Sequence, residues 1–183
     1  MTEDFKILRF RRPSERWLNR ALNLYLTSFP VEERRPWPLI LDSKSPYGPF
    51  LKILLVDDGT GDRFAGLLTV WHFDDFNYIE HLAIAPELRG GGLGALVLES
   101  LKTLNDNFWV LEVEPPTTDN PMAARRIGFY ERNGFTLYDY NYIQPPYTPS
   151  QPSVPMKLMA DIHDMLPRNV AYTLQHEVYG VTK

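Results

Sequence analysis

The chain has 183 residues, 44% hydrophobic and 23% charged, enough for one sizeable core, too few for two full α/β domains and too apolar for global disorder. A net charge of −4 argues against a nucleic-acid partner, because the only basic runs are Arg9-Phe10-Arg11-Arg12 and Arg34-Arg35, which read as solvated surface patches. The absence of cysteine excludes disulfides, thiolate metal sites and a cysteine nucleophile, and with no signal peptide and no apolar run of ~18 residues the expectation is a cytoplasmic globular domain without a membrane partner.

Lys6 to Arg11 reads as a short strand ended by Pro13. Ser14 caps a helix with the apolar stripe Leu18, Leu22, Tyr25 and Phe29, a 4-3-4 spacing on one face, and Pro30 stops it. Val31 to Pro49, rich in proline and charge, reads as a long irregular connection, a length often tied to function. Leu51–Val56, Phe64–Phe73 and Tyr78–Ile84 are strands joined by the tight turns Asp57–Asp62 and Asp74–Asn77, so they are antiparallel neighbours. After Pro86 comes Arg89-Gly90-Gly91-Gly92-Leu93-Gly94, then a helix carrying Leu93, Val97, Leu101, Leu104 and Phe108 at 4-4-3-4 spacing. Trp109 to Glu114 returns as a strand, which makes this unit a parallel crossover.

Pro121, with Asp119 or Asn120 as cap, opens a helix that closes at Gly134. Phe135 to Tyr142 reads as one strand, Pro145 to Pro155 as a stiff connection, and Val154 to Met159 as the last strand. A final helix from about Pro167 to Tyr179 carries Val170, Leu174 and Val178 at steps of four. The order is an antiparallel front half, one parallel crossover and an antiparallel hairpin: an α/β chain with a mixed sheet.

The glycine loop stands between a strand and a helix, where unpaired backbone N–H groups and the helix dipole both favour an anion. Glycines let a pyrophosphate approach the main chain, and Arg89 adds a positive charge beside it. A P-loop would need Gly-Lys-Ser/Thr, which Leu93-Gly94-Ala95 lacks. A dinucleotide fingerprint fits Gly90, Gly92 and Ala95, with Glu112 about twenty residues on, although that fold begins with this unit and here antiparallel strands precede it. A plain glycine turn is the bland alternative. The four histidines show no metal-ligand spacing, so no metal is expected.

The segment resembles the GNAT acetyltransferase superfamily. Arg89, Gly92 and Gly94 match that family's pyrophosphate signature after the leader Leu82-Ala83-Ile84-Ala85-Pro86, and Ile127-Gly128-Phe129-Tyr130-Glu131-Arg132-Asn133-Gly134-Phe135 is similar to its motif around Phe-Tyr-Glu and Gly-Phe. The resemblance covers about Phe5 to Met159. It implies a GNAT domain over 1–160 and a helical extension of the same domain over 161–183. It implies six or seven strands, mostly antiparallel, with a central parallel pair splayed around acetyl-CoA.

Carried over, acetyl-CoA is the co-substrate and lies between the strand ending at Ile84 and the one starting at Trp109. Leu82, Ala83 and Ile84 form one wall, with backbone groups of Leu82 and Ile84 pairing with the pantetheine arm. Arg89, Gly90, Gly91, Gly92, Leu93, Gly94 and Ala95 form the pyrophosphate side. The implied reaction is direct attack of a primary amine, from a small molecule or peptide, on the thioester. Tyr130 aligns with the family's general acid, against the alternative of a core tyrosine. Glu80 is the candidate base, on one face with Tyr78, Leu82 and Ile84 by the period of two, and its alternative is a cross-strand charge pair. His81 then points to the opposite face as a packing or hydrogen-bonding histidine; His72 is a weaker candidate base. The family's usual asparagine is Ala123 here, with Asn120 just upstream, and Arg125 and Arg126 are candidates for cofactor phosphates. Acceptor specificity is expected in Phe29–Pro49 and Tyr140–Pro155: Glu32 and Glu33 either receive a cation or pair with Arg34 and Arg35, and Tyr140, Tyr142 and Tyr147 either wall the site or pack. The C-terminal helix docks on the domain, caps the acceptor site or joins a homodimer. A non-catalytic CoA-binding module and a dinucleotide-dependent oxidoreductase stay open as alternatives.

Overall fold

A computed structural model describes residues 7–42, 47–57 and 59–182; Lys6, Asp58 and residues 43–46 of the acceptor connection, on which some of these expectations fall, lie outside the described residues. Apolar runs form eight strands among those described. β1 (Ile7–Arg11), β2 (Phe50–Asp57), β3 (Asp62–His72) and β4 (Phe76–Ile84) pair in antiparallel succession. β5 (Phe108–Val113) joins β4 in parallel. Beyond it β6 (Thr136–Leu137) and β7 (Tyr142–Gln144) both pair antiparallel with β8 (Val154–Ala160), which also flanks β5. β2 and β3 read as unbroken apolar runs because their residues are buried along both faces.

Among the described residues five helices flank the sheet: α1 (Glu15–Ser28), α2 (Trp37–Leu41), α3 (Leu93–Lys102), α4 (Pro121–Arg132) and α5 (Pro167–Thr173). One buried cluster joins α1, α3 and α4 to β2–β5. A second joins the C-terminal segment, through Val170, Ala171, Leu174 and Val178, to β4, β5, β7 and β8. The C-terminal helix therefore docks on the domain.

Local detail departs from the sequence pattern in four places. The buried stripe of α1 is Trp17, Ala21, Leu24 and Tyr25 rather than Leu18, Leu22, Tyr25 and Phe29, turned so that Trp17 stacks on Phe64 with centroids 5.9 Å apart. The connection after α1 is not irregular throughout: Val31–Glu33 winds as a 3₁₀ turn and α2 buries Ile40. α3 stops at Lys102, leaving Leu104 exposed and Phe108 in β5, because the Asn105 side chain accepts from the Asn107 N–H and turns the chain. The strand expected over Phe135–Tyr142 is split into β6 and β7: register against β8 slips between Leu137↔Met159 and Tyr142↔Met156, so eight strands replace the six or seven expected.

One feature of the sheet creates the site. β4 and β5 pair from Phe76↔Phe108 to Ile79↔Leu111 and no further. Past that point β4 stays with β3, and β5 stays with β8. On the β3 side the register jumps from Val70↔Ile79 to Thr69↔His81, so Glu80 is the extra residue of a β-bulge. A bulge bends the strand that carries it, and β4 leaves β5 where its bulge falls.

Gly66 of β3 lets the strands close up beyond the bulge: a Cβ there would overlap the carbonyl oxygen of Ala83. Gly66→Ala is expected to lower stability by about 1–3 kcal/mol, read as a lower urea midpoint at unchanged slope.

Candidate functional site

The parting of β4 from β5 opens a cavity of about 1020 Å³. It runs from the loop Arg89–Gly92 to Gln144, Tyr147 and Met156, within the size range of ligand sites. Leu82, Ala83, Ile84, Arg89, Gly90, Gly92, Leu93, Gly94 and Ala95 all line it, as do Glu80 and Tyr130; Gly91 does not. The Ala85 N–H bonds to the Ala65 carbonyl, so by strand alternation Ala83 also turns its backbone toward β3, while Leu82 and Ile84 turn theirs to the open edge. The Arg89 Nε donates to the Ile84 carbonyl at 2.9 Å, which anchors the loop to the end of β4.

Gly90 and Gly92 both have φ of +84°, a conformation that strains residues with a Cβ. A Cβ at either would meet nothing within 4 Å, so conformation, not space, calls for glycine there. Gly92 caps α3 and has no side-chain oxygen to offer the first-turn N–H groups, which remain directed at the cavity. Gly94 answers a different need: a Cβ there would stand 3.1 Å from the Phe129 ring. The glycine loop and the Phe129-Tyr130-Glu131 motif are in contact across the fold.

Glu80 occupies the fork, and its side chain is fully buried. Its Oε1 accepts from Arg35 Nε at 2.8 Å and its Oε2 from Trp71 Nε1 at 3.0 Å. Burial pushes its carboxyl upward, but the Arg35 guanidinium and the bond from Trp71 outweigh that, so its pKa lies below the usual glutamate value. Arg35 also donates to the Val178 carbonyl at 2.6 Å and stacks over Trp71 and Tyr147. This corrects the reading of Arg34-Arg35 as a surface patch: Arg35 is 9% exposed. Arg34 bonds to the Phe29 and Leu26 carbonyls, so in place of the local acidic partners proposed for the two arginines, Arg34 takes nearby backbone carbonyls and Arg35 a glutamate across the fold.

His81 is corrected as well. Its Nδ1 lies 3.7 Å from Glu80 Oε2, so the two share a face, because the bulge interrupts the alternation that separates them in a regular strand. His81 is held by Thr69 through Nδ1 at 2.8 Å and by the Glu33 carbonyl through Nε2 at 3.0 Å. A carbonyl only accepts, so Nε2 carries the proton, and burial lowers the pKa and keeps the ring neutral. His81 is the hydrogen-bonded packing histidine expected of it. His72 bonds to Asn77 and lines a separate, smaller pocket.

Tyr130 lies against Phe129 and Phe135, with ring centroids 5.2 and 5.8 Å away. Burial raises its pKa, only partly offset by Arg126, so the phenol keeps its proton at neutral pH. Asn120 caps α4 by accepting from the Ala123 N–H at 3.2 Å, which occupies its carbonyl oxygen. Arg126 pairs with Glu114 at 2.9 Å.

Sequence reasoning named Glu112 only as a dinucleotide feature and missed Arg35, Trp71 and Tyr179. Glu112 is the β5 residue just past the last shared pair, as Glu80 is on β4. Tyr179 donates to its Oε2 at 2.8 Å and lies 3.2 Å from the Tyr78 hydroxyl. Burial raises the Glu112 carboxyl to about 7, against the bond from Tyr179 and the nearby hydroxyls of Tyr142 and Tyr78 that pull it down. Glu33, also on the cavity wall, is raised to about 7 by burial and by Glu114. An isolated glutamate in the apolar run Trp109–Val113 was the available signal.

The family model described as the Acetyltransferase (GNAT) domain matches residues 51–137. A solved structure from Bacteroides thetaiotaomicron, provisionally assigned to the GNAT-family acetyltransferases, is 34% identical, covers 95% of this chain and 99% of its own, and superposes with a TM-score of 0.78. Arabidopsis thaliana Naa50, solved with the bisubstrate analogue CoA-Ac-MVNAL, is 20% identical and shares the fold at a TM-score of 0.57 over 85% of this chain and 99% of its own. A curated relative, YjbC of Bacillus subtilis (strain 168), provisionally named an acetyltransferase, is 35% identical over 69 residues, 38% of this chain. The match spans about a third (35%) of that relative's length.

Arg35→Met leaves the Glu80 carboxylate buried without its cation and is expected to cost about 3–5 kcal/mol in urea unfolding. Combining it with Glu80→Gln should restore more than half of that loss, and equal losses in the single and double variants would count against the pair. A glutamate raised from 4.5 to about 7 holds more protons in the folded than in the unfolded chain across that window. The folded state therefore loses stability as pH rises through it. Glu112→Gln removes this contribution, so its stability relative to wild type should rise between pH 5 and 8 by on the order of 2 kcal/mol.

Proposed function

The chain belongs to the GNAT acetyltransferase family, and on that premise we propose that it moves the acetyl group of acetyl-CoA to a primary amine of a small molecule or peptide by direct attack. The observation that carries the reading is the continuous cavity through the fork, which has an anion-binding helix start at one end and buried carboxylates at the other. The uncapped amides of Gly90 to Ala95, with Arg89 beside them, hold the pyrophosphate; Gly91 completes the turn. The backbone of Leu82 and Ile84 takes the pantetheine arm as a third strand would, with Ala83 keeping β4 on β3. Cofactor and amine then meet where β4 leaves β5.

Tyr130 is the general acid in this reading, because its raised pKa keeps a proton available for the departing thiolate. Glu80 is the ionised member of a buried pair with Arg35; its lowered pKa and double hydrogen bonding make it a poor proton acceptor. The carboxyl groups of Glu33 and Glu112, which line the same cavity, favour a cationic amine over an alcohol. No helix among the described residues is long and apolar enough to cross a membrane, and a dissolved amine in the cytoplasm completes the proposal.

Titration calorimetry should show acetyl-CoA and CoA binding with no comparable heat from NAD; preferential NAD binding would sink the reading in favour of a dinucleotide enzyme. Thiol release over a panel of primary amines should show turnover that Tyr130→Phe lowers about 100-fold. A full rate in that variant removes Tyr130 from the acid role. Binding without turnover of any amine leaves the non-catalytic module.

A further inference from the structure

The fork carries two carboxylates with opposite circumstances. Glu80 and Glu112 are the first residues that β4 and β5 do not share, and both line the cavity that holds Tyr130. Glu80 takes both the ion pair and the indole bond. Arg35 directs its remaining bond to the Val178 carbonyl. Glu112 has no paired cation among the described residues. Tyr179 binds its Oε2, while its Oε1 is buried without a hydrogen bond. The Tyr142 hydroxyl stands close enough to perturb it, yet that hydroxyl too is buried and completes no bond of ordinary geometry. A buried acceptor oxygen and a buried hydroxyl, neither completing a bond of ordinary geometry, thus stand together where the two strands part.

The residue that touches Glu112 comes from outside the family match. Past α5 the chain winds as a π turn over Leu174–Val178, with the Tyr179 N–H bonded to the Leu174 carbonyl at 3.1 Å. Each residue of such a turn rotates less than in an α-helix, so the following side chain is re-aimed. Arg35 holds the turn through Val178, Tyr147 packs on the Tyr179 ring at 5.0 Å, and the Tyr179 hydroxyl reaches both Tyr78 and Glu112.

We propose that Glu112 takes the proton from the incoming ammonium, and that Tyr179, delivered by the C-terminal π turn, is the residue that positions it. The inference rests on the acetyl-transfer reading. One ammonium proton passes to the Glu112 carboxylate and from there to solvent. The freed lone pair forms the C–N bond with the thioester carbon, and the C–S bond breaks with its electrons on sulfur. The thiolate takes the Tyr130 proton, and the second proton lost by nitrogen restores that phenol. Glu112 suits the task because burial places its carboxyl at about 7, where a base is both ionised and receptive. The groups facing it are Tyr78 and Glu80 from β4, Tyr142 from β7, Tyr147 from the connection before β8 and Tyr179 from the C-terminal turn. The last supplies the bond that most favours the charged form.

The test uses the full chain with acetyl-CoA and an amine that wild type turns over. Glu112→Gln should lower kcat about 100-fold at pH 7 with the KM for acetyl-CoA unchanged, and the acidic limb of the pH profile should vanish. Tyr179→Phe should keep that limb but move it to higher pH, since the lost bond favoured the carboxylate. A Glu112→Gln rate within twofold of wild type overturns the proton-acceptor role; a Tyr179→Phe rate that falls with the limb unmoved overturns the positioning role. Glutamate labelled with carbon-13 reads the resting protein independently: the resonance missing in Glu112→Gln should titrate near pH 7, and a midpoint near an ordinary glutamate's overturns the inference. If wild type turns over no amine at all, the transfer reading itself fails, an outcome distinct from an active Glu112→Gln.

Discussion

Two parallel strands that stop sharing hydrogen bonds set the terms for the rest of this molecule. Up to Ile79 and Leu111, β4 and β5 form an ordinary parallel pair. One residue later β4 carries the bulge at Glu80 and follows β3, while β5 follows β8. The separated edges leave backbone donors and acceptors that no neighbouring strand satisfies, and such groups demand a partner. The fold answers by leaving the gap open to a ligand and placing the start of α3 over one end. The bulge matters for a second reason: it brings Glu80 and His81 to one face, where regular alternation would have parted them.

Holding charge in that gap is costly, and the way it is held explains the C-terminal segment. An unpaired buried carboxylate is strongly unfavourable, so Glu80 requires Arg35. A guanidinium has five donors in a fixed fork, and Arg35 uses them on the Glu80 carboxylate and the Val178 carbonyl while its plane lies between Trp71 and Tyr147. The connection after α1, the bulged strand and the C-terminal turn are thereby tied together by one side chain. Among the described residues Glu112 meets tyrosine hydroxyls and no paired cation, which is why the two carboxyls shift in opposite directions.

The two motifs that carry the family likeness prove to be physically joined. Gly94 has no side chain where Phe129 packs, so the helix that starts at the anion loop and the helix that carries Tyr130 approach closely. The same glycine run divides by role: Gly90 and Gly92 are required by left-handed backbone, Gly94 by proximity. A string of glycines in a sequence does not distinguish these needs.

The sequence by itself determined the strand order up to the parallel crossover, the glycine loop at the start of a helix, the start of a helix at Pro121 and the family. These rest on interactions among residues a few positions apart, or on motifs read in line. Only the tertiary structure decided that Arg35 is buried, that Glu80 is bound on both oxygens, that His81 shares its face, and that Tyr179 reaches Glu112. Arg35 and Glu80 are 45 positions apart, and Tyr179 and Glu112 are 67. A charge in sequence looks the same whether it meets water or a partner across the sheet, and periodicity is blind to a single bulged residue. The site was thus legible as a loop and a tyrosine, while the electrostatics between them required the folded chain.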